Sequence, residues 1–232
     1  MAQVDDRNTI LENLDLDDRR LIIAAMSDFD FESGYVFCEP GEEIRYISFV
    51  DAGLVSAVAI MTNGETVEAY MVGREGFVGV TGWLVPFRSS VRCIGQVAGS
   101  ARRIEARRLR EIAGERAGVR LALGNYAASL QVELEQSAAC NAIHKAEQRL
   151  AKWLLRAHDR TSSDTLFMTQ EFLGNMLGTQ RTTVTESAQS LAALGAISYS
   201  RGRVLIRDRG VLEKVVCECY AAAKAVSDHP RT

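Results

Sequence analysis

Length, composition and charge exclude several classes of protein. The chain has 232 residues, of which 47% are hydrophobic and 25% are charged, a balance typical of a globular protein with one large domain or two modest ones. No apolar run approaches the roughly 20 residues that cross a membrane, and the acidic N-terminus does not resemble a secretory signal. We therefore expect a cytoplasmic protein that does not contact a membrane.

Charge is distributed unevenly along the chain. The formal net charge is -3 and the pI is near 5.7. Residues 1–43 contain 12 acidic and 3 basic side chains, a net charge of -9, so the remaining residues contain 18 acidic and 24 basic side chains, a net charge of +6. The acidity therefore belongs to the N-terminal part, and the rest of the chain has the positive charge that nucleic-acid binding requires.

Two kinds of element are predicted in the first half of the chain. Residues 9–26 have apolar side chains at roughly helical spacing and predict short helices. Ten of the 18 glycines then fall between Gly34 and Gly99, where they separate short runs of β-forming residues. Asn63-Gly64 lies between two such runs, which is a strong hairpin signal. The pattern predicts an antiparallel barrel or sandwich over residues 34–106.

A helical segment follows, at about residues 107–160, where glycine becomes rare. Four residues on one face are spaced 4-3-4, as in the seam of a coiled coil. They are Leu123, Ala127, Leu130 and Leu134. We interpret this face as a dimer interface, and the alternative is a helix that packs on its own domain.

The segment MTQEFLGNMLGTQRTTVTESAQSLAALGAI, residues 168–197, predicts two helices joined by a tight turn. The first helix has an apolar stripe, formed by Phe172, Leu173, Met176 and Leu177. Gly178 permits the turn, and Thr179 is the predicted N-cap of the second helix. The second helix has apolar residues at i, i+4 and i+7 that are predicted to face inward. These residues are Val184, Ala188 and Leu191.

The opposite face of the second helix is polar from its first turn. Its residues are Arg181, Thr182, Thr185, Glu186 and Gln189. A recognition helix needs this layout because its N-terminal residues meet base edges in the major groove. Arginine pairs with guanine, glutamine pairs with adenine, glutamate accepts from cytosine, and threonine contacts the thymine methyl group. We predict that these five residues contact DNA, together with Thr169 at the start of the first helix.

A basic hairpin is predicted directly after the second helix. Residues 196–209 alternate in polarity and contain four arginines and one aspartate, a net charge of +3. Arg201 and Arg203 lie at the predicted tip, where they suit contacts to phosphate that fix register without reading sequence. The order of turn glycine, polar stripe and arginine-tipped hairpin favours DNA binding over an ordinary solvated helix pair.

With these elements in place, the sequence resembles the bacterial Crp/Fnr regulators, named for the cyclic-AMP receptor protein and the fumarate-nitrate reduction regulator. The resemblance covers nearly the whole chain, is strongest in TQEFLGNMLGTQRTTVTESAQSLAALGAI, and continues in GREGFVG, which is similar to the family's glycine-rich turn. It implies an α+β fold in three parts: an antiparallel β-roll sensor domain like those that bind cyclic nucleotides (residues 1–112), a long dimerisation helix (113–140), and a C-terminal winged helix-turn-helix DNA-binding domain (141–232).

The resemblance also implies binding partners and the residues that would read the DNA sequence. It implies a homodimer on a two-fold site in double-stranded DNA, with RNA polymerase as a candidate further partner and a small-molecule effector of unknown identity. Arg181 would occupy the position of the family's recognition-helix arginine. Thr182 stands where the best-known members often carry glutamate, and Glu186 stands where they carry arginine. We therefore expect an operator sequence that differs from theirs.

The effector site is predicted from the same resemblance. Members that bind a cyclic nucleotide hold its phosphate with a backbone turn and an Arg-Ser pair, and hold its ribose with a glutamate just after a turn glycine. Here Gly79 is followed by Val80 and Thr81, so that glutamate is missing, whereas Arg88-Ser89 resembles the phosphate pair. We expect a sensor that does not respond to cyclic AMP. The alternatives are a cyclic-nucleotide-binding regulator and a ligand-binding module without affinity for DNA.

Cysteine and histidine positions argue against a metal, a cofactor or an enzyme. Cys217 and Cys219 are the only close pair of cysteines, and we expect them to fill space on a terminal helix because no partner ligands are evident. All three histidines lie after residues 34–106, the range of the predicted sheet: they are His144, His158 and His229. Cys38 and Cys93 are too few for a four-cysteine cluster, although a redox role for either thiol stays open. No catalytic fingerprint is present, so we expect no enzymatic activity.

Overall fold

The computed structural model of the chain describes residues 8–161, 163–168 and 170–228. These residues form two units. The first unit extends to residue 57 and includes residues 71–130, and the second includes residues 58–70 and those from 131 onward. Among the described residues, no helix has the length and apolar composition that crossing a membrane requires.

Six strands from the first half of the chain form one sheet. They are β1 (Ser27–Phe31), β2 (Val36–Cys38), β3 (Tyr46–Ile60), β4 (Thr66–Val72), β5 (Phe77–Val78) and β6 (Arg92–Glu105). The strand order is β1-β6-β3-β4, with β2 also paired to β6 and β5 paired to β3. The pairs β1–β6, β2–β6 and β3–β5 are antiparallel. The antiparallel sheet predicted for this part of the chain is confirmed.

Glycines make a turn and a close approach in this sheet. Gly64 has a φ of 87° in the connection between β3 and β4, which confirms the hairpin predicted at Asn63-Gly64. Gly53 lies within β3 at a φ of 91°, and a Cβ atom there would lie 2.7 Å from the carbonyl oxygen of Val97 on β6. Only glycine fits where the two long strands approach each other this closely.

Helices are attached before, between and after these strands. They are α1 (Thr9–Glu12), α2 (Leu16–Ile23), α3 (Val80–Leu84), α4 (Ala106–Glu115) and α5 (Ala117–Ile143). The side chain of Asn8 accepts a hydrogen bond from the N–H of Ile10 at 3.1 Å, and that of Asp15 accepts one from the N–H of Asp18 at 2.8 Å. These caps fix the starts of the two short helices predicted at residues 9–26.

In the second unit, helices and a small sheet follow the end of α5. They are α6 (Ala146–Thr161), β7 (Thr165–Phe167), α7 (Gln170–Leu177), α8 (Arg181–Ala193), β8 (Ile197–Ser200), β9 (Arg203–Ile206), α9 (Arg209–Val215) and α10 (Cys219–Asp228). The sheet order is β7-β9-β8. The sequence indicates the hairpin of β8 and β9 but not β7, because three residues are too short a run to signal a strand.

The long helix α5 directs much of the predicted dimer seam inward. Leu123 and Leu130 are only 1% and 7% exposed in a single chain, and Leu123 belongs to the core of the first unit. Ala127 is half-buried, and Leu134 is 37% exposed. This burial leaves Leu123 and Leu130 little surface to offer a partner, which favours the alternative of a helix packed on its own domain for these two residues. The dimer interface itself stays a prediction.

A buried network of charged side chains joins α5 to α6. The carboxylate of Glu133 accepts a hydrogen bond from Arg156 and lies 3.6 Å from the guanidinium of Arg160. The three side chains are between 8% and 11% exposed. Burial alone would raise the pKa of Glu133, but attraction by the two arginines and the hydrogen bond from Arg156 hold that pKa below its ordinary value of 4.5.

We predict that Glu133→Gln lowers the free energy of unfolding by about 3–5 kcal/mol at neutral pH, because it leaves the buried guanidinium of Arg156 without the carboxylate that it contacts. Since the pKa of Glu133 is lowered on folding, its stabilisation is fully present above the ordinary pKa of 4.5 and is lost as the pH falls through the lower folded value. The difference between wild type and variant, measured by urea unfolding, should therefore shrink in acid. Glu135→Gln, an exposed change on the same helix, should leave the stability unchanged.

Candidate nucleic-acid interface and sensor cavity

A tight turn joins the two helices that are predicted to contact DNA. Gly178 lies in this turn with a φ of 56°. The N-cap of α8 is Gln180 rather than the predicted Thr179, whose N–H donates to the carbonyl oxygen of Gly174 at 3.0 Å. A Cβ atom at Gly174 would lie 3.1 Å from the carbonyl oxygen of Thr179. The glycine therefore lets the turn pass close to α7.

The inner face of α8 is the apolar face that the sequence predicts. Val184, Ala188 and Leu191 are 0%, 3% and 0% exposed. This face packs against α6 and α7. Full burial of a valine or leucine side chain contributes about 1.5–3 kcal/mol, so the packing fixes which side of α8 points outward.

The outer face of α8 presents most of the predicted base-reading side chains. Four of the five are exposed: Arg181, Thr182, Glu186 and Gln189. Thr185 is half-buried, and its hydroxyl donates to the carbonyl oxygen of Arg181 at 2.9 Å. Its methyl group is the part left to meet a thymine methyl group. Thr169, the remaining predicted contact in these helices, lies outside the described residues.

The wing is the hairpin of β8 and β9. Arg201 and Gly202 at its tip have φ values of 48° and 73°, the left-handed pair that a two-residue hairpin turn requires. The guanidinium carbon of Arg203 lies 4.9 Å from the ring centre of Phe167, which is a cation–π contact. Both tip arginines are exposed, and the ring holds one of them in place.

The other two arginines of the wing segment are engaged in contacts within the protein. The guanidinium of Arg207 donates to the hydroxyl of Ser198 at 3.2 Å. Arg209 lies 2.8 Å from the carboxylate of Asp159. The ion pair offsets the charge of Arg209, so the net charge of the segment overstates the positive charge available to a phosphate. The exposed arginines Arg201, Arg203 and Arg207 carry what remains.

A cavity of about 480 Å³ lies in the sheet domain of the first unit. Two of the five predicted effector residues, Gly79 and Arg88, line it together with Cys38, Glu42 and Glu43. The other three are outside its lining: Val80, Thr81 and Ser89. The structure thus brings together only part of the predicted effector site, and carboxylates share the cavity with the arginine.

The polar side chains expected to hold a phosphate already have partners in the protein. The guanidinium of Arg88 donates to the carbonyl oxygen of Gly41 at 2.7 Å. The hydroxyl of Ser89 donates to the carbonyl oxygen of Val91 at 2.6 Å, and Ser89 is only 6% exposed. An incoming phosphate would have to displace these bonds, which makes the pair a poor anion site as it stands.

A thiol with a lowered pKa lines the same cavity. Cys38 on β2 lies directly opposite Cys93 on β6. Hydrogen bonding with Cys93 and Ser89 outweighs the effect of burial and lowers the pKa of Cys38 to about 6. Cys38 is partly exposed, and the lowered pKa makes its thiol easier to ionise than that of an ordinary cysteine. The redox role that the sequence leaves open for Cys38 would therefore involve a thiol in the wall of the cavity.

Four potential metal ligands meet in the second unit. Cys140 and His144 lie at the end of α5, and Cys217 and Cys219 lie at the connection from α9 to α10. Their sulfur and ring nitrogen atoms all lie within 4.8 Å of one another. The expectation that Cys217 and Cys219 have no partner ligands is wrong. The sequence does contain two short spacings that suit metal ligands, Cys-x-x-x-His at residues 140–144 and Cys-x-Cys at residues 217–219. Because Cys140 and Cys217 are 77 positions apart, the sequence does not show that the two pairs meet.

The thiols of this cluster differ in acidity. Burial would raise the pKa of Cys140, but attraction by the buried Lys152 ammonium and hydrogen bonds to the thiolate lower it overall. Burial and hydrogen bonding to Cys140 raise the pKa of Cys217 to about 12. One negative charge is therefore favoured among the neighbouring thiols, and a cation such as Lys152 stabilises it.

Comparison with known families and structures gives a consistent result. Residues 148–215 match the model of the Crp-like helix-turn-helix domain. This range contains the helix pair, the turn and the wing. No curated protein has a sequence that matches the chain.

Solved structures with a similar fold cover most of the chain. FixK2 from Bradyrhizobium japonicum has a TM-score of 0.71 at 18% identity, over 83% of this chain and 98% of that chain. CLP, the c-di-GMP-responsive global regulator of Xanthomonas campestris, has a TM-score of 0.70 at 16% identity, over 84% and 100%. A CRP-family transcriptional regulator from Thermus thermophilus has a TM-score of 0.68 at 18% identity, over 81% and 95%. At these identities the likeness shows the fold.

Proposed function

We propose that this chain, which has a Crp-like helix-turn-helix domain and the fold of the Crp/Fnr transcription regulators, binds a two-fold DNA site as a homodimer and regulates transcription in the cytoplasm. The outer face of α8 carries the proposal. It places four exposed side chains suited to base edges on a helix whose opposite face is buried. In this proposal the chain acts by binding and performs no catalysis.

Each exposed side chain of α8 has a chemically matched base. Arg181, at the first residue of the helix, suits the two acceptors of guanine, and Gln189 suits adenine. Glu186 can accept a hydrogen bond from the amino group of cytosine, and Thr182 can contact a thymine methyl group. The set supports an operator with both G·C and A·T contacts.

The wing supplies the sequence-independent part of the interface. Arg201 and Arg203 are exposed at its tip, where they would contact phosphates on the flank of the recognition site. Phe167 restrains the guanidinium of Arg203, so less side-chain freedom is lost when a phosphate binds. RNA polymerase is a candidate further partner in this proposal.

The dimer proposal rests on the face of α5 opposite to Leu123 and Leu130. Leu121 and Val132 on this face are 58% and 44% exposed, and the small side chains of Ala128 and Ala139 are exposed beside them. The positions repeat at seven- and four-residue intervals, which keeps them on one side of the helix. An apolar stripe of this kind is what a second copy of the helix could cover.

The sensor part of the proposal is a ligand other than cyclic AMP. The cavity contains Arg88, but its guanidinium is bonded to a backbone carbonyl, and Glu42 and Glu43 share the lining. Arg45 also lines the cavity, so the two carboxylates offset the charge of two arginines and leave little net attraction for a bound phosphate. Val80, which stands where nucleotide-binding relatives carry glutamate, also offers no acceptor to a ribose hydroxyl.

For base reading, we predict that Arg181→Ala costs about 1–3 kcal/mol of binding free energy on the selected operator and relaxes the preference at one base pair.

For phosphate contact, we predict that Arg203→Ala weakens binding to all DNA sequences about equally and reduces the slope of log affinity against log salt concentration by about one. Selection from a random pool gives the operator, and gel shifts at several salt concentrations give the affinities. Equal losses for Arg181→Ala on operator and random DNA would rule out base reading. Failure of the wild type to bind any selected DNA would favour a ligand-binding module.

For the dimer, we predict that Val132→Glu yields monomers in analytical ultracentrifugation. Monomers should lose tight binding to a two-fold site, since half-sites about 34–36 Å apart need two linked recognition helices. Leu134→Glu, on the face first interpreted as the seam, is the matched control and should remain dimeric. A dimeric Val132→Glu together with a monomeric Leu134→Glu would return the interface to the Leu134 face.

For the effector, we predict no micromolar binding of cyclic AMP or cyclic GMP in calorimetric titration, and no change in gel shifts with either nucleotide. An unpaired ribose hydroxyl costs about 1–3 kcal/mol, which is about five- to 150-fold in affinity. Saturable micromolar binding that also tightens DNA affinity would show that the cavity is a cyclic-nucleotide site.

A further inference from the structure

We propose that Cys140, His144, Cys217 and Cys219 bind one zinc ion that fastens the two ends of the DNA-binding domain to each other. One ligand pair precedes and the other follows residues 148–215, the range of the Crp-like domain. The site is argued from ligand geometry and chemistry, so it stands whether or not the chain regulates transcription.

The spacing of the ligand atoms fits one tetrahedral ion. With zinc–sulfur bonds near 2.3 Å and zinc–nitrogen bonds near 2.0–2.1 Å, two sulfur ligands lie about 3.8 Å apart, and a sulfur and a nitrogen about 3.6 Å apart. The sulfur atoms of Cys140 and Cys217 are 3.7 Å apart, and the sulfur of Cys219 lies 3.5 Å from Nδ1 of His144. The ligands therefore need little movement to surround an ion.

The chemistry of the ligand set selects the metal. Three thiols and one imidazole are soft to intermediate donors, which suit zinc and exclude the oxygen-preferring magnesium and calcium. The three cysteines of this cluster form no disulfide and are buried. Four protein ligands with no open position are typical of a structural zinc site.

Two neighbouring side chains orient the ligands. A carboxylate oxygen of Glu218 lies 3.3 Å from Nε2 of His144, which leaves Nδ1 to face the sulfur of Cys219. Metal-ligating histidines usually donate their other ring N–H to such a carboxylate or carbonyl. The side-chain amide of Gln136 donates to the sulfur of Cys219 at 3.0 Å. Both contacts are those expected around a bound ion.

The charge of the surroundings also matches. Three thiolates and one divalent ion leave a net charge of -1, and the ammonium of Lys152 attracts the thiolate of Cys140. Lys152 is only 8% exposed, and a buried ammonium is costly without a negative partner. A negatively charged zinc–thiolate site would give this ammonium a negative partner in addition to the carboxylate of Glu133, with which it also interacts.

The position of the site gives it a structural role. Cys140 and His144 lie where α5 ends, and Cys219 is the first residue of α10. An ion there closes a long loop that contains the recognition helix and the wing. Metal clips that close long loops restrict the unfolded chain strongly, and their binding free energy adds to folding free energy. Bound zinc would thus stabilise the second unit as a whole.

The test is metal content of the full chain purified under reducing conditions. We expect one zinc per chain by mass spectrometry of metals, and cobalt substitution should give the visible bands of a tetrahedral thiolate site. Cys219→Ser should lose the metal, whereas the matched control Cys38→Ser should keep it. Removal of zinc with a chelator should lower the melting temperature, and re-addition should restore it.

A second variant covers the case in which Cys219→Ser does not fold. Glu218 has a 78% exposed side chain, so Glu218→Gln should fold normally and weaken zinc affinity by about 10–100-fold through loss of the histidine's partner. Glu135→Gln, an exposed change on α5, should leave the affinity unchanged. Affinities are read by competition with a chromogenic chelator, which requires no DNA.

Three outcomes would overturn the proposal. The first is a reduced, folded wild-type chain that takes up no stoichiometric zinc or cobalt. The second is a disulfide between Cys140 and Cys217 in the protein as purified from a reducing cytoplasm. The third is stoichiometric iron with the visible absorption of an iron–sulfur cluster. Loss of DNA binding with zinc still bound would count against the proposed regulatory function and not against the zinc site.

Discussion

The carboxylate of Glu133 makes a buried charged contact that joins two helices of the second unit. It lies on α5 and attracts the guanidinium groups of Arg156 and Arg160 on α6, where all three side chains are mostly buried. A buried guanidinium without its carboxylate is costly, so this ion pair acts together with the buried apolar side chains of α6, such as Leu150 and Leu154, in holding the helix in place. Since α8 packs its apolar face on α6, the outward direction of the polar face of α8 depends in part on an ion pair in the interior of the unit.

Helix α8 has one buried apolar face and one exposed polar face, and this division connects its sequence to the proposed function. Val184 and Leu191 are fully buried, while Arg181 and Gln189 on the other side remain in water. Burial of one face fixes the position of the helix and of the polar side chains attached to it, which limits the reorganisation that the proposed base contacts would require. The wing follows the same logic, because Phe167 restrains the guanidinium of Arg203 before any phosphate arrives.

Helix α5 shows where pattern reading reaches its limit. Leucines at 4-3-4 spacing indicate an apolar face, but a face that packs on its own unit and a face that packs on a partner bury the same side chains. The structure buries Leu123 and Leu130 within one chain and leaves Leu121 and Val132 exposed on the opposite side. Leu134, which belongs to the regular spacing, is 37% exposed, so the spacing alone does not separate buried from accessible apolar residues.

The sequence by itself determined what depends on neighbours along the chain: the hairpin at Asn63-Gly64, the helix pair with its turn at Gly178, and the inward set that contains Val184. Periodicity and turn chemistry act over a few residues, so a single sequence displays them. Only the tertiary structure decided that Arg209 is held by Asp159 and that Cys140 meets Cys217 from 77 positions away. Such contacts depend on how helices pack in three dimensions, and no local spacing records which distant side chains will meet when they do.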